Sequence, residues 1–230
     1  MSKISVLLPI HNGEETLERS LDSIYMQSCQ DFEVVAILNN CTDGSSKILE
    51  NFDAKVVTCE TPGIVPALNT GIFHCRGEFI ARMDADDYWY PEKLQKQLDF
   101  FEKNPDIDIL GTQIRQVNTQ YQEIKDQISY PTENAVIKRT LLSGSNCIAH
   151  PSVMFRKSIT EKAGLYDDSF PLAEDYYYWL RCLRWYKFAN LEEILLDYTS
   201  NPNPNYDPNV PILACQLMVS LYQHIGLIRQ

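Results

Sequence analysis

Residues 79–87 read FIARMDADD, an almost apolar run that passes directly into three carboxylates within four positions. A short continuous apolar run of this kind is typical of a strand that is buried on both faces of a sheet. Residues 4–8 and 32–38 repeat the pattern, and apolar residues recur at helical spacing between the runs, as in Leu17, Leu21 and Ile24. Strands that alternate with helices predict β-α-β units and a mostly parallel sheet.

The polar residues that follow these strands predict where a ligand binds. Parallel sheets bind ligands in the crevice at the carboxyl ends of their strands. Three polar groups occupy those ends in this sequence, at residues 9–14, 39–43 and 84–87. We therefore expect one site that is assembled from three loops.

The acidic cluster of Asp84, Asp86 and Asp87 has the most specific chemistry of the three groups. Carboxylates this close repel one another unless a cation is present. Hard cations such as Mg²⁺ favour one or two carboxylates together with the phosphates of a substrate. The alternative is a solvated turn whose aspartates cap the helix that Pro91 opens. The position at a strand end, beside two other polar loops, favours the metal site.

Composition and charge exclude several classes of protein. Hydrophobic residues make up 44% of the 230 residues and charged residues 22%, which is ordinary for a globular protein, and the net charge is −11. So acidic a balance argues against binding to nucleic acids or to anionic lipid. We find no run of about 20 apolar residues that could span a membrane and expect no secretory signal. The seven cysteines form no C-x-x-C pair, which favours reduced thiols in a cytoplasmic protein.

The second half of the chain has a less regular pattern. Residues 107–117 and 121–129 predict a pair of strands, and residues 147–155 and 191–198 predict further extended segments. Residues 133–142 and 173–185 predict helices, the second of them rich in aromatic side chains that are mostly core, because consecutive residues of a helix point in different directions. Four prolines predict a loop at residues 201–211, and residues 212–225 predict an amphipathic helix that packs its leucines on the core.

Four segments of the chain, taken in order, resemble the motifs of the family 2 glycosyltransferases. The first is SVLLPIHNGE at residues 5–14, and the second is TDGS at residues 42–45. The third joins ALNTGI at residues 67–72 to GEFIARMDADD at residues 77–87, and the fourth is AEDY at residues 173–176. A single D-x-D motif is a weak signal, whereas four ordered motifs across residues 3–200 make a specific match.

The resemblance implies a single-domain α/β fold of the GT-A type, a Rossmann-like mixed sheet flanked by helices. It implies a metal-dependent, inverting transfer of a sugar from a nucleoside-diphosphate sugar to a glycan or lipid-linked acceptor, and by analogy a part in making a bacterial surface polysaccharide. Residues 1–105 would bind the nucleotide sugar and the metal, residues 106–200 would bind the acceptor, and residues 201–230 would form an Asn/Pro-rich loop and a C-terminal helix. The expected location is the cytoplasm, and residues 212–225 are compatible with peripheral association at the inner face of the membrane.

The resemblance also implies a role for individual residues. Asp86 would hold Mg²⁺ or Mn²⁺, Asp84 would contact ribose or the waters of the metal, and Asp175 would be the base that deprotonates the acceptor hydroxyl. A divalent ion neutralises the diphosphate leaving group, and inversion needs one carboxylate on the opposite face of the sugar. Glu174 and His150 would lie on the acceptor side, His150 either as a contact or as a structural residue. The donor side would include Pro9, His11, Asn12, Glu14, Asn39, Asn40, Asp43 and Asn69.

Three side chains near these loops have two interpretations each. His11 can stack under the nucleotide base, where the family often has an aromatic residue, or it can only pack beside Pro9. Glu14 can contact the ligand or favour the N-terminus of the next helix. Arg82 can pair with a phosphate or with the acidic cluster, and we favour the cluster.

The main departure from the family is Asn39-Asn40, where relatives usually carry two acids, one of which accepts a hydrogen bond from the nucleotide base. A side-chain amide both donates and accepts, so it can pair twice with uracil, whereas a carboxylate matches the two adjacent donors of guanine better. We therefore expect a UDP-sugar donor. A non-catalytic nucleotide-sugar-binding relative is the first alternative, favoured by these amides and by Tyr177, where relatives often carry another Asp. The second is a sugar nucleotidyltransferase, which normally needs a basic phosphate loop, and residues 12–15 contain no Lys or Arg.

Overall fold

The computed structural model describes residues 2–124, 129–170 and 172–200, together with Leu213, Gln216, Leu217 and Ser220. One mixed sheet of eight strands forms its centre, and helices flank the sheet. The sheet takes strands from both halves of the chain, which confirms the predicted α/β class and the single-domain fold.

The strands divide into a parallel part and a mixed part. They are β1 (Ile4–Ile10), β2 (Phe32–Asn39), β3 (Ala54–Cys59), β4 (Phe79–Arg82), β5 (Tyr88–Trp89), β6 (Ile109–Val117), β7 (Met154–Arg156) and β8 (Phe188–Thr199). Their order across the sheet is β3-β2-β1-β4-β7-β6-β8-β5. The first four in that order run parallel, β7 is antiparallel to both of its neighbours, β6 and β8 pair in parallel, and β5 is antiparallel to β8.

The helices cover both faces of the sheet. They are α1 (Leu17–Tyr25), α2 (Ser45–Leu49), α3 (Ile64–His74), α4 (Lys93–Lys103), α5 (Asn134–Leu142), α6 (Thr160–Ala163) and α7 (Glu174–Cys182). All seven residues of β1 are buried, as expected for a strand that is covered twice. Leu7 points to the face that α3, α5 and α7 cover, and Leu8 points to the face that α1, α2 and α4 cover. Helix α3 lies so close to the sheet that a Cβ on Gly71 would stand 2.0 Å from Leu7 Cδ1, so any larger residue here would force the Leu7 side chain to move.

The first hundred residues form the predicted elements, and the second half departs from the prediction in places. The expected strand at 121–129 is wrong for its described part, where Glu123 makes only an isolated bridge with Val117, and residues 125–128 lie outside the described residues. The expected extended segment at 147–155 contains a 3-10 turn at His150–Ser152 before β7 begins, because Pro151 has no N–H to donate to a strand ladder.

The predictions for the C-terminal segment have two outcomes. The loop expected at 201–211 lies outside the described residues. The four described residues beyond it are helical, as predicted for 212–225. The prediction that the leucines pack on the core is wrong for Leu213 and Leu217, whose side chains are each 55% exposed. Across the described part of the chain, we find no helix with the length and apolarity needed to cross a membrane.

The parallel part of the sheet brings three chain turns to one edge. Strand β1 lies between β2 and β4, and Ile10 pairs with Leu38 while Leu7 pairs with Arg82. The carboxyl ends of the three parallel strands therefore point the same way. The loops that follow Ile10, Asn39 and Arg82 lie side by side at that edge.

Candidate active site

A cleft of about 1030 Å³ opens at this edge of the sheet. The three predicted loops line it together with the start of α3, which confirms that one cleft is assembled from three strand ends. From the predicted donor side, the lining includes Pro9, His11, Asn12, Glu14, Asn39, Asn40, Asp43 and Asp84. Asp86, predicted as the metal ligand, also lines the cleft.

Hydrogen bonds join the first loop to the second. Asn12 Oδ1 accepts the N–H of Thr42 at 2.8 Å, and Asp43 Oδ2 accepts the N–H of Glu14 at 2.9 Å. Glu14 Oε2 accepts the N–H of Gly44 at 2.9 Å, where Gly44 is the N-cap of α2. The carboxylate of Glu14 thus stabilises the N-terminus of α2. The sequence predicted a contact of this kind with the next helix along the chain, α1. These polar side chains build the wall of the cleft.

His11 is anchored by its ring. Its Nδ1 lies 2.8 Å from the carbonyl oxygen of Asn39. Because a carbonyl oxygen only accepts, Nδ1 is the donor, and in the neutral form of such a ring Nε2 is a hydrogen-bond acceptor. The histidine is exposed and lines the cleft, so it does more than pack beside Pro9.

Asn39 is placed differently from the prediction, because its amide is already engaged with the protein. The side chain is only 4% exposed. Its Nδ2 donates to the carbonyl oxygens of Cys59 at 3.2 Å and Thr61 at 2.7 Å, and its Oδ1 accepts the N–H of Gly63 at 2.9 Å. Pairing of this amide with a nucleotide base is therefore ruled out in this arrangement. Asn40 is exposed, lines the cleft and has left-handed backbone with a φ of 54°, which asparagine tolerates better than most residues.

Asn69, predicted on the donor side, does not reach the cleft. Its Nδ2 donates to the carbonyl oxygen of Tyr166 at 3.0 Å, and its Oδ1 accepts the N–H of Tyr166 at 2.9 Å. Ile64 and Ala67 present the face of α3 that lines the cleft. Asn69 follows Ala67 by two positions and so lies on another face of the helix. It links α3 to the segment before α7.

The acidic cluster occupies the floor between the strand ends. One carboxylate oxygen from each of Asp84, Asp86 and Asp87 lies within 4.8 Å of the others. Asp84 forms an ion pair with the buried guanidinium of Arg82, as favoured from the sequence. Burial, and then the charge of Asp84, raises the pKa of Asp86 to about 6. The three carboxylates repel one another when they are ionised.

Asp87 is the fully buried member of the acidic cluster. Its Oδ1 accepts the N–H of Thr199 at 2.7 Å, and the Thr199 hydroxyl donates to the carbonyl oxygen of Asp86 at 2.6 Å. Its Oδ2 is buried without a hydrogen-bond partner among the described residues. The end of β8 therefore holds the acidic turn, and one carboxylate oxygen is left for a ligand.

These residues fit a hard divalent cation. Carboxylate oxygens are the ligands that Mg²⁺ and Mn²⁺ prefer, and ligands on opposite sides of Mg²⁺ stand about 4 Å apart, close to the spread of the cluster. A cation would also relieve the repulsion that raises the pKa of Asp86. The described residues that line the cleft carry five carboxylates and neither lysine nor arginine. They are Glu14, Glu15, Asp43, Asp84 and Asp86.

A second cavity of about 640 Å³ adjoins the cleft and contains the predicted acceptor-side residues. Asp84 and Leu172 line both spaces, and Glu174, Asp175 and His150 line the second. The structure thus brings the predicted base and the acidic cluster to neighbouring walls.

Asp175 and Glu174 begin α7 and differ in their partners. Asp175 Oδ2 accepts a hydrogen bond from Asn146 Nδ2 at 2.9 Å. Burial raises the pKa of Asp175, while hydrogen bonds from the Tyr176 N–H and from Asn146 oppose that rise. Burial, and then the charge of Asp175, raises the pKa of Glu174 to about 7, and its Oε2 is buried without a hydrogen-bond partner among the described residues. Asp175 is therefore the carboxylate that the protein orients.

His150 lines the second cavity and is also held by the core, and its contact with an acceptor stays a prediction. The side chain lines the second cavity but is only 7% exposed, and its Nε2 lies 2.9 Å from the hydroxyl oxygen of Tyr166. Burial, and then the charge of Arg82, lowers the pKa of His150 well below its ordinary value. The ring is consequently neutral and held by the core.

The aromatic side chains of α7 are core, as the helical spacing indicates. Tyr176, Tyr178 and Trp179 are buried. Tyr177 packs against Phe170 with ring centroids 4.7 Å apart. None of the four is among the residues that line the second cavity, which instead presents Tyr130 and Tyr198.

Several lining residues were not predicted from the sequence. Asn146 and Leu172 lie in segments without a motif, and residues 62–64 follow an edge strand that gives a weak signal. Tyr198 could have been found, because it stands near the end of β8 and the strand-end rule applies there as well. Its neighbour Thr199 holds the acidic turn from the same strand.

The fold matches those of two solved structures. Staphylococcus aureus TarS, residues 1–349 in complex with UDP-GlcNAc, superposes with a TM-score of 0.76 at 21% identity, over 96% of this chain and 66% of the TarS chain. The mannosyltransferase PcManGT from Pyrobaculum calidifontis, in complex with GDP-Man and Mn²⁺, superposes with a TM-score of 0.65 at 17% identity, over 98% of this chain and 76% of the other. The mixed sheet and its strand-end cleft are therefore a GT-A fold, as predicted.

Residues 5–164 match the family model described as glycosyl transferase family 2, and the chain belongs to that family. The O-antigen biosynthesis glycosyltransferase WbnJ of Escherichia coli is 36% identical over 211 residues, which cover 86% of this chain and 80% of WbnJ. The amylovoran biosynthesis glycosyltransferase AmsE of Erwinia amylovora is 29% identical over 201 residues, which cover 84% of this chain and 74% of AmsE. The family predicted from the four motifs is confirmed.

Proposed function

We propose that the protein transfers a sugar from a nucleoside-diphosphate sugar to a hydroxyl group of a glycan or lipid-linked acceptor, with inversion and with a divalent cation bound. One observation carries the proposal. A cleft that contains five carboxylates and no lysine or arginine among its described lining residues adjoins a cavity lined by a partly buried carboxylate that Asn146 orients. An anionic donor binds such a cleft only when a cation offsets the charges.

The donor half of the reaction uses the acidic cluster. Asp86 and Asp84 would hold Mg²⁺ or Mn²⁺, and Asp87 would contribute the carboxylate oxygen that has no hydrogen-bond partner among the described residues. The cation supplies charge neutralisation to the diphosphate leaving group. Arg82 restrains the Asp84 carboxylate through their ion pair. Support for the cation also comes from PcManGT, whose structure contains Mn²⁺.

The acceptor half uses Asp175. Its carboxylate lies in the cavity beside the cleft and is fixed by Asn146, so it can accept the proton of a hydroxyl group as that oxygen attacks the sugar. A single base on the side away from the leaving group gives inversion. Glu174 and His150 shape the same cavity and would contact the acceptor.

A nucleotide sugar that contains uracil is the favoured donor, but residues other than Asn39 would contact the base. Asn39 is engaged with the protein, so the amide of Asn40 and the Nε2 acceptor of His11 are the groups left to read the base. An amide pairs with the N–H and a carbonyl oxygen of uracil, whereas guanine presents two adjacent donors. TarS, with the same fold, binds UDP-GlcNAc and UDP.

The relatives suggest where the product is used. WbnJ is named for O-antigen biosynthesis and AmsE for amylovoran biosynthesis. We accordingly propose a part in surface polysaccharide biosynthesis, in the cytoplasm or at the inner face of the membrane. Residues 1–105 would bind the donor and the metal, and residues 106–200 would bind the acceptor.

Release of nucleoside diphosphate from a panel of nucleotide sugars tests the proposal. The expected result is release that requires Mn²⁺ or Mg²⁺ and is abolished by Asp86→Ala. Asp22→Ala, which removes an exposed carboxylate on α1, is the matched control and should behave as the unmodified protein.

Three other outcomes would contradict the proposal. Release of nucleoside diphosphate at an equal rate in EDTA would show that the reaction requires no divalent cation. Chemistry that depends on pyrophosphate would identify a nucleotidyltransferase, although the first loop has no basic residue. Binding without turnover, across donors and acceptors, would identify a non-catalytic relative, although Asp84, Asp86 and Asp175 are all in place.

A further inference from the structure

We propose that Asn39 is a positioning residue that locks residues 59–63 as the wall of the donor cleft, so that its amide sets donor affinity without touching the donor. This inference rests on the proposed function. It assigns a structural role to the buried amide at position 39.

The lock consists of three hydrogen bonds from one buried side chain. Asn39 ends β2, and Cys59 ends the neighbouring strand β3. The amide donates one proton to Cys59 O at 3.2 Å and the other to Thr61 O at 2.7 Å. Its oxygen accepts the Gly63 N–H at 2.9 Å. Both protons and one oxygen lone pair are thus committed to a single loop.

The chemistry of the three bonds requires an amide. Two of the partners are carbonyl oxygens, which only accept, and the third is an N–H, which only donates. An ionised carboxylate at position 39 would accept from Gly63 but would face two carbonyl oxygens without a proton to share. An aspartate that is protonated recovers one of the two donor bonds. Asn39 is accordingly matched to this loop in both polarity and number of bonds.

The locked loop is part of the cleft. Pro62, Gly63 and Ile64 line it, and Gly63 is the N-cap of α3. Gly63 has a φ of 116°, a backbone conformation that favours glycine, so the loop turns sharply where the lock holds it. The carbonyl oxygen of Asn39 also accepts from His11 Nδ1 at 2.8 Å. One residue therefore ties the first loop and the start of α3 to the end of β2.

Donor binding to Asn39→Ala, Asn39→Asp and the control Asn51→Asp tests the lock. Asn51 is exposed after α2, so its variant adds the same charge away from the cleft. Leaving buried partners unsatisfied should weaken UDP binding with Mn²⁺, and raise the donor KM, by roughly tenfold or more in both Asn39 variants. The kcat at saturating donor should stay within about twofold, because the acceptor side is unchanged. Asn51→Asp should bind as the unmodified protein does.

The pH dependence separates a lock from a general packing role. As the pH falls from about 8.5 to about 5.5, the aspartate at 39 gains a proton and one donor bond, so its affinity should recover relative to Asn39→Ala. The titratable side chains beside Asn39 are His11, Cys41 and Cys59, and both variants retain all three. A ratio of affinities that stays constant over this range would overturn the proposal. So would a loss of kcat with an unchanged donor KM.

Hydrogen exchange in the unmodified protein decides the matter if the variants do not fold. The Gly63 amide should exchange slowly without nucleotide, because its acceptor is a buried side chain. Exchange at the rate of an open loop would overturn the lock. If the unmodified protein binds no nucleotide, the proposed function is wrong, and the exchange of Gly63 still reports whether the lock exists.

Discussion

Asn146→Ala removes the 2.9 Å hydrogen bond from the Asn146 amide to Asp175 Oδ2 and should raise the pKa of the base. Burial already raises the pKa of Asp175, and this bond opposes that rise because it favours the ionised form. A hydrogen bond to a charged group contributes about 1.5–3 kcal/mol, and the exposed position of Asn146 reduces that to about 1 kcal/mol. Losing it should raise the pKa of Asp175 further, and about 1 kcal/mol corresponds to roughly a fivefold change in an equilibrium constant.

The sign of the effect on catalysis follows from the form that acts as base. Only ionised Asp175 accepts a proton, so activity falls as the pH drops through its pKa. A higher pKa moves the acid limb of the kcat/KM profile to higher pH. Below the limb the variant should be about fivefold slower, and well above it the rates should converge.

Profiles of kcat/KM against pH for Asn146→Ala, Asn146→Asp and Ser145→Ala provide the assay. Asn146→Asp places a like charge beside the base and should move the limb further than the alanine variant does. Ser145 is exposed and adjacent, so Ser145→Ala is the matched control and should leave the limb in place. An acid limb that moves in neither Asn146 variant would refute the assignment of Asp175 as the base that Asn146 orients.

Three further predictions concern the base, the cluster and the nucleotide. Asp175→Asn keeps the shape of the base but cannot take a proton, so turnover should fall by on the order of 10²–10⁴ with donor affinity little changed, and collapsed donor affinity with surviving turnover would reassign the residue. Burial and the charge of Asp84 raise the pKa of Asp86 from its ordinary value of 3.8 to about 6, so the metal-free protein should lose stability as the pH rises from about 4 to about 6. Asp86→Asn should therefore stabilise the metal-free protein at neutral pH by about 1–3 kcal/mol in denaturant titrations. Mn²⁺ should stabilise only the unmodified protein. A variant that is less stable than the unmodified protein without metal would contradict this prediction. Calorimetry in Mn²⁺ should show UDP binding more tightly than GDP, by roughly 1–3 kcal/mol, and tighter GDP binding would refute base reading by Asn40.

The sequence was most informative where one local pattern determines both a strand and the location of the cleft at its end. Continuous apolar runs predicted β1, β2 and β4, since parallel strands are buried on both faces. Because their carboxyl ends meet at one edge, the polar residues after them predicted the cleft without any knowledge of contacts. The acidic cluster followed from the same rule, as like charges at a strand end have few stable arrangements without a cation.

The sequence was least informative where an amide side chain chooses between ligand and protein. Asn39, Asn69 and Asn146 look alike as residues, yet their partners lie up to 97 positions away along the chain. Nothing local distinguishes an amide that bonds to backbone from one that faces a cleft. The second half was harder for a related reason: the 3-10 turn at His150–Ser152 interrupts an apolar segment, and only the packed structure shows where the strand resumes.

Calorimetric titration of UDP into the protein, once with Mn²⁺ and once in EDTA, tests the central claim most directly. The acidic lining of the cleft predicts binding with Mn²⁺ and no measurable binding in EDTA. Asp86→Ala should bind in neither condition, and Asp22→Ala should reproduce the unmodified protein. Equal affinity for UDP in Mn²⁺ and in EDTA would contradict a cation-dependent donor site.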